Sequence, residues 1–206
     1  MRFAIGIPTI NRADLLNEAL EKYFIDFPNA DILILDNGKQ DILKRKQNFQ
    51  IFRTEKNFGV SKSWNFLCRK AFQNVDYILM LNDDIYLGKT QKDIYKFIKR
   101  TSFDLAYGQQ NFCAFILKKS IFEKDSFDEN FFPAYFEDND YKYRMKLQKN
   151  KLVETDFLNA NIYRNSQTIL KDSSLNNKFM DNRNYYIKKW GGLPNEEQFK
   201  TPFNNG

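Results

Sequence analysis

The 206-residue sequence predicts a single α/β domain with a Rossmann-like, mostly parallel sheet flanked by helices. Three short segments, Phe3–Ile7, Asp31–Leu35 and Tyr77–Leu81, have the nearly continuous apolar pattern of strands that are covered on both faces. Segments with apolar residues at helical spacing lie between them, and this alternation is typical of βαβ units. A chain of this length buries enough apolar surface to fold as one domain.

The first predicted strand, Phe3–Ile7, is ended by Pro8 and Thr9. A helix is predicted next, with apolar residues at helical spacing from Leu15 to Tyr23. Asp14 lies near its start and is a candidate cap, because Asp accepts hydrogen bonds from the first backbone N–H groups of a helix.

The second predicted strand stops at the turn Asp36-Asn37-Gly38, whose residues favour tight turns. A shorter strand is predicted at Ile51–Thr54, followed by the turn Asn57-Phe58-Gly59. Ser61 is the candidate cap of the next helix, whose apolar face runs over Trp64–Ala71.

The pattern changes after residue 100. Leu105–Gln109 and Ala114–Lys118 are predicted to be neighbouring strands, which makes the sheet mixed. An acidic loop and a helix are predicted over Phe127–Lys149, and one or two helices over Thr168–Trp190, ended by Gly191-Gly192. We expect one domain over residues 1–195. Residues 196–206 are expected to be a mobile tail, and they would be the cut edge if the chain belongs to a longer protein.

Composition restricts the chemistry. The sequence has no histidine and only two cysteines, Cys68 and Cys113, without a CxxC motif. These counts exclude histidine-based triads and HExxH metalloproteases, and they argue against a disulfide scaffold or a zinc site. Carboxylates are therefore the expected acids, bases and ligands of a hard metal ion.

The net charge of +6 indicates either an anionic partner or a solvated basic surface. No helix-turn-helix, finger or RNP-like pattern is present, so no nucleic-acid partner is expected. A phosphate-bearing substrate and peripheral contact with an anionic membrane both fit. The sequence contains no apolar run of membrane-spanning length. Its N-terminal apolar segment is too short for a signal peptide, so we expect a cytoplasmic location.

Polar clusters follow three of the predicted strands directly: Thr9–Arg12, Asp36–Gly38 and Asn82–Asp84. Ligands of open α/β sheets bind outside the carboxyl ends of the strands. A turn would explain any one cluster, but three in succession that end in paired carboxylates favour a binding site.

Asp83 and Asp84 need a counter-charge, because adjacent carboxylates repel each other. Mg²⁺ or Mn²⁺ would supply it by bridging a carboxylate to the phosphates of a nucleotide. The phosphate loops GxxxxGK[ST] and GxGxxG are both absent. We therefore expect a metal ion and basic side chains, rather than a glycine-rich loop, to hold the phosphates.

An ordered set of motifs resembles glycosyltransferase family 2, whose members have the GT-A fold. Each motif alone is common, but their order and spacing hold over about residues 3–145. The matching segments are Ile7–Arg12, Ile34–Gly38, Asn57–Ser61 with Trp64-Asn65, Leu81–Asp84, Phe127–Phe132, and Tyr135–Asp140 with Arg144 after it.

The resemblance implies a hexosyltransferase. It would move a sugar from a UDP-sugar to a hydroxyl of a glycan, glycoprotein or lipid-linked acceptor, with Mn²⁺ or Mg²⁺ as cofactor. The resemblance implies inversion, and a retaining reaction stays open from the sequence. Asp84 and Asn82 of the DXD-type motif would bind the metal ion, and Asp138 would be the general base with Glu137 beside it. The residues implied to bind the acceptor are Tyr135, Phe136 and Trp190.

The resemblance also assigns a nucleotide-binding half (residues 1–100) and an acceptor-binding half (101–195). Thr9, Arg12 and Asp36 would contact the base. The implied donor-binding residues are Pro8, Thr9, Asn11, Arg12, Asp36, Asn37, Asn57, Gly59, Ser61, Asn82, Asp83, Arg164, Arg183 and Lys189.

Two positions depart from the family pattern. Asn82 stands where the first Asp of the motif is usual, which removes one ligand charge. Ile162–Ser166 stands where a late histidine is expected, so Arg164 or Asn165 would face the phosphates instead. The segment Asn182–Gly192 resembles a recurring C-terminal feature and reads either as a clamp for the diphosphate or acceptor, or as the end of a basic helix.

Two other functions stay open at this stage. A sugar nucleotidyltransferase would have a glycine-rich basic N-terminal loop, and Pro8–Arg12 lacks the glycines. A non-catalytic nucleotide- or glycan-binding module would not need Asp84 and Asp138. The acidic cluster Glu137–Asp140 also fits the first turn of a helix, where acids meet the helix dipole.

Overall fold

The computed structural model describes residues 2–45, 47–159, 161–162 and 177–205. The strands in these ranges are β1 Phe3–Thr9, β2 Asp31–Asp36, β3 Phe49–Arg53, β4 Tyr77–Leu81, β5 Ile85–Tyr86, β6 Leu105–Gly108, β7 Asn111–Lys118, β8 Leu152–Glu154 and β9 Asn161–Ile162. The α-helices are α1 Ala13–Asp26, α2 Gly59–Ala71, α3 Gln91–Arg100, α4 Lys119–Phe122, α5 Glu137–Leu147 and α6 Phe179–Trp190.

Seven strands form one mixed sheet in the order β3-β2-β1-β4-β7-β6-β8, and β5 pairs with β9 in a small second sheet. Only β7 runs against its neighbours β4 and β6; the remaining pairs of the large sheet are parallel. The predicted α/β class with a mostly parallel, mixed sheet is therefore confirmed, including the neighbouring strands β6 and β7.

Helices cover both faces of the sheet, which explains why its central strands are apolar without interruption. Side chains of a strand alternate between faces. Ile5 of β1 packs in the layer of α1 and α3, whereas Ala4 packs in the layer of α2 and α5. The carboxyl ends of β1, β2 and β4 meet at one edge, where Thr9 pairs in register with Asp36.

The starts of two helices differ from the prediction. Helix α2 begins at Gly59, whose N–H donates to Asn57 Oδ1 at 2.8 Å, so Ser61 lies inside the helix and its hydroxyl has no hydrogen-bond partner. The prediction that Ser61 caps the helix was wrong, because the positive φ of Gly59 starts the helix earlier. Asp14 likewise lies in the first turn of α1 and pairs with Arg12 instead of capping.

The last described residues contact the end of α6. Gly191 ends the helix with φ +77°, as predicted for this glycine. The N–H groups of Gln198 and Phe199 both donate to the carbonyl of Trp190 at 2.9 Å. A mobile tail and the division of the domain into two halves stay predictions. No helix in the described ranges is both long and apolar enough to cross a bilayer.

Candidate active site

A cavity of about 520 Å³ lies at the carboxyl ends of β1 and β4. Residues that follow these strands contribute to its lining, and so does the segment from Pro133 into the first turn of α5. Its described lining residues are Pro8, Thr9, Ile10, Asn37, Asn57, Gly59, Val60, Ser63, Trp64, Asn82, Asp83, Asp84, Gln110, Phe112, Cys113, Pro133, Ala134, Tyr135, Phe136, Glu137, Asp138, Asn139 and Phe179.

The strand-end carboxylates Asp83 and Asp84 are both buried and both line this cavity. The hydroxyl of Thr9 donates to Asp83 Oδ2 at 2.7 Å, which ties the end of β1 to the end of β4. Burial raises the pKa of Asp83 to about 7, against the hydrogen bond from Thr9, which lowers it. The strand-end pair is thus held close together away from bulk water.

A second acidic pair, Glu137 and Asp138, starts α5 and also lines the cavity. The backbone and side-chain amides of Asn139 donate to Asp138 Oδ1 at 2.8 and 3.0 Å, whereas Glu137 Oε2 is buried without a hydrogen-bond partner. Burial raises the pKa of Glu137 to about 8, and the charge of Asp138 adds to the shift. Burial also raises the pKa of Asp138.

Replacing Glu137 by Gln should stabilise the fold above about pH 4.5, because it removes a buried carboxyl group that ionises readily only in the unfolded state. The pKa of Glu137 is above its ordinary value of 4.5, so the folded state keeps a proton that the unfolded state releases, and stability falls as pH rises from about 4.5 to 8. Gln does not titrate. We expect the stabilisation by Glu137→Gln to be small at pH 4.5 and to grow by up to about 4 kcal/mol by pH 8.

Urea unfolding at several pH values tests this expectation. The matched control is Glu21→Gln, since Glu21 is exposed. An advantage of Glu137→Gln that does not grow between pH 4.5 and pH 8 would contradict the assignment of a buried Glu137 whose carboxyl stays protonated in the folded state.

The cavity suits a hard divalent cation that arrives with phosphates. Its described lining includes four carboxylates and neither lysine nor arginine. No group of three His, Cys, Asp or Glu side chains with ligand geometry occurs in the described ranges. Mg²⁺ and related ions are often held by one or two carboxylates plus substrate phosphates, rather than by an all-protein cage. The donor set therefore fits this kind of site and not a closed structural one.

Five of the predicted donor-binding residues outside the acidic motif line the cavity: Pro8, Thr9, Asn37, Asn57 and Gly59. Others do not. The carboxylate of Asp36 is fully buried and accepts hydrogen bonds from Gly38 and Gln40. Arg12 Nε pairs with Asp14 at 3.0 Å. The remaining predicted residues outside the lining are Asn11, Ser61, Arg183 and Lys189, and Arg164 lies outside the described residues.

Lys189 and Trp190 lie in a different environment from the one predicted. Lys189 Nζ pairs with Asp128 at 2.6 Å and with Asp140 at 2.7 Å, and the Trp190 indole N–H donates to Asp140 at 2.8 Å. Arg144 Nε donates to the same Asp140 at 2.8 Å. We call Asp128, Asp140, Arg144 and Lys189 the helix ion cluster, because it joins α5 to α6. Contacts of Lys189 or Trp190 with substrates stay predictions, which this placement does not support.

Tyr135 and Phe136 line the cavity, and their contact with an acceptor stays a prediction. Both have positive φ, 83° and 71°, which is unusual for residues with a side chain. Phe179 of α6 packs against both rings, with centroids 5.1 and 5.4 Å away. Phe179 was not anticipated from the sequence, since no local pattern indicates that α6 reaches this wall.

Cys113 and Phe112 were also missed, and strand topology explains why they reach the site. Strand β7 is antiparallel to β4, with Leu81 opposite Ala114, and the N–H of Asn82 donates to the carbonyl of Cys113 at 2.9 Å. The start of β7 therefore lies beside the strand-end carboxylates.

A seam joins two parts of the cavity lining at Gly59. The N–H of Val60 donates to the carbonyl of Pro133 at 2.8 Å. A Cβ atom on Gly59 would lie 2.8 Å from Phe132 Cδ2 and from the same carbonyl, so only glycine fits here. The start of α2 and the segment before α5 are thus in direct contact.

Comparison with known proteins identifies a family. Residues 4–166 match the model of glycosyl transferase family 2. No match is found among curated protein sequences.

Several solved structures have a similar fold. GalNAc-T7 with UDP, GalNAc and Mn²⁺ is 12% identical over 91% of this chain, with a TM-score of 0.63, and the chain spans only 50% of its length. Glucosyl-3-phosphoglycerate synthase from Mycobacterium tuberculosis, in complex with Mn²⁺, UDP and phosphoglyceric acid, is 9% identical over 84% of this chain and 74% of its own, with a TM-score of 0.59. The catalytic domain of Drosophila beta1,4galactosyltransferase 7 with xylobiose is 13% identical over 81% and 72%, with a TM-score of 0.56. At these identities the likeness shows the fold, which is GT-A.

Proposed function

The chain belongs to glycosyl transferase family 2, and from this premise we propose that it is a metal-dependent, inverting hexosyltransferase that uses a UDP-sugar. The observation that carries the proposal is that one cavity is lined by both acidic pairs, Asp83 with Asp84 at the end of β4 and Glu137 with Asp138 at the start of α5. A strand-end pair suits a cation and diphosphate, and a separate acid at the start of α5 suits proton transfer.

The donor side of the proposed site is built from the strand ends. Thr9 ties down Asp83, and Asp84 with Asn82 would hold Mn²⁺ or Mg²⁺. When bound, such an ion neutralises charge on the leaving diphosphate. Thr9 and Asp36 would read the base, and Asn57 would border the base and ribose.

The acceptor side of the proposed site would supply the general base. Asp138 would accept the proton of the acceptor hydroxyl while the hydroxyl oxygen forms a bond to the anomeric carbon of the donor sugar. The bond from that carbon to the diphosphate oxygen breaks, and UDP leaves with the electron pair. Because burial raises the pKa of Asp138, its carboxylate is a stronger base than an exposed one. One displacement without a carboxylate nucleophile gives inversion.

Tyr135, Phe136 and Phe179 offer aromatic surface against which an acceptor sugar can stack. We propose a glycan, a glycoprotein or a lipid-linked sugar as the acceptor. A cytoplasmic location, contact with an anionic membrane through the basic surface, and further domains in a longer chain belong to the same proposal.

Donor binding should depend on a divalent ion through Asp84. We expect EDTA to weaken UDP binding to the wild-type protein by about tenfold or more, and to change it much less in Asp84→Asn, because that variant has already lost the ligand. Calorimetric titration with UDP, with and without Mn²⁺, measures both. The control Asp181→Asn removes a carboxylate from an exposed ion pair on α6 and should behave as wild type. Equal affinity with and without metal in the wild type would exclude the proposed role.

The base pocket should select uracil. A buried hydrogen-bonding site rejects a base that does not match its donors and acceptors. We expect UDP to bind at least about tenfold more tightly than ADP or GDP, or roughly 1.4 kcal/mol. Competition titrations in Mn²⁺ measure the ratio, and equal inhibition by the three nucleotides would show that the base lies elsewhere.

A further inference from the structure

The two groups that the proposed function assigns to the nucleobase are already hydrogen-bonded by one side chain. Gln40 Nε2 donates to Thr9 Oγ1 and to Asp36 Oδ1, both at 3.2 Å. The other oxygen of Asp36 accepts from the backbone N–H of Gln40 at 2.8 Å. The amide of Gln40 therefore occupies the hydrogen-bonding positions that a base would need.

The other end of the same amide is unsatisfied. Gln40 Oε1 is buried and has no hydrogen-bond partner. An unpaired buried carbonyl is unfavourable, so this placement of the side chain is only partly stabilised. A ligand that satisfies Thr9 and Asp36 can therefore replace the amide without breaking a fully paired network.

The backbone around Gln40 is fastened independently of its side chain. Arg53 Nη2 donates to the carbonyl of Gln40 at 3.1 Å, and Arg53 Nε lies 3.3 Å from Asp36 Oδ2. The N–H of Gly38 donates to Asp36 Oδ1 at 2.9 Å. The Gln40 side chain can therefore leave Thr9 and Asp36 without breaking these contacts of the turn.

We propose that the Gln40 amide holds the place of the nucleobase and that uracil binds by displacing it. The inference rests on the proposed function, in which Thr9 and Asp36 read the base. The N–H on the imide edge of uracil can replace one of the two N–H groups that Gln40 Nε2 donates to Thr9 and Asp36. Gln40 thereby lowers the affinity for the nucleotide and sets how well a base must match to enter.

The variant Gln40→Ala tests the inference by calorimetric titration with UDP in Mn²⁺. We expect its Kd for UDP to fall by about five- to tenfold. This factor corresponds to the net contribution of about one hydrogen bond, because UDP no longer has to break a bond of the Gln40 amide in order to bind. Pyrophosphate in Mn²⁺, which has no base, should bind wild type and variant equally. The matched control is Gln50→Ala, the same change at an exposed position of β3, and it should leave both affinities unchanged.

Each other outcome overturns the inference in a recognisable way. An unchanged Kd for UDP means that the amide does not compete, and a higher Kd means that Gln40 contacts the bound nucleotide. An equal gain for UDP and pyrophosphate places the effect outside the base pocket. If neither protein binds UDP, ADP or GDP, the proposed function itself fails, and the inference fails with it.

Discussion

Sugar transfer should fall by about 10²–10⁴-fold in Asp138→Asn, the usual contribution of general-base catalysis. The amide keeps the shape of the side chain but cannot accept the hydroxyl proton. A base acts on the transition state more than on donor binding, so the KM for the donor should stay nearly unchanged. Initial rates of acceptor-dependent UDP release, measured over a range of donor concentrations, separate the two parameters.

The neighbouring acids provide the comparison. Glu137→Gln should retain more activity than Asp138→Asn, and Asp140→Asn should act through folding, because Asp140 is fully buried in the helix ion cluster. Near wild-type turnover in Asp138→Asn together with an inactive, folded Glu137→Gln would move the base to Glu137. Full activity in both would reduce the acidic start of α5 to a feature of the helix dipole.

Removing Lys189 should be strongly destabilising. Its ammonium pairs with Asp128 and Asp140, and Asp140 is fully buried. Breaking a buried ion pair from one side leaves an uncompensated charge, so Lys189→Met should lower the free energy of unfolding by about 3–5 kcal/mol. Urea unfolding measures the change.

The control for Lys189 is its neighbour. Lys188→Met alters an exposed position of the same helix and should change stability by about 0.5 kcal/mol or less. If Lys189→Met is as stable as wild type but binds UDP more weakly, then Lys189 is a donor ligand, and its contacts in the helix ion cluster matter little for folding.

The sheet was predictable because strands that are buried on both faces have uninterrupted apolar sequences. Strands such as Tyr77–Leu81 are apolar throughout, and the polar residues that follow them mark the edge where the site forms. The start of α3 also has a local sequence signal, which the apolar pattern alone does not include. Thr90 and Asp93 form a capping box there.

The rest of the site depends on contacts between distant segments. Cys113 reaches the cavity only because β7 pairs with β4 in reverse, and Phe179 only because α6 packs across Tyr135. Lys189 shows the opposite difficulty. The sequence shows its charge but not its partners, so a residue of the helix ion cluster was assigned to the substrate.

In the proposed site, the seam at Gly59 would make donor and acceptor preference difficult to change one at a time. Gly59 starts α2 on the proposed donor side, and its missing side chain lets Phe132 and Pro133 of the proposed acceptor side pack against it. A substitution that widens one pocket at this point displaces the wall of the other. Selection for a new sugar at the start of α2 should therefore be accompanied by a changed acceptor range, and engineering of one preference would need compensating changes at Phe132.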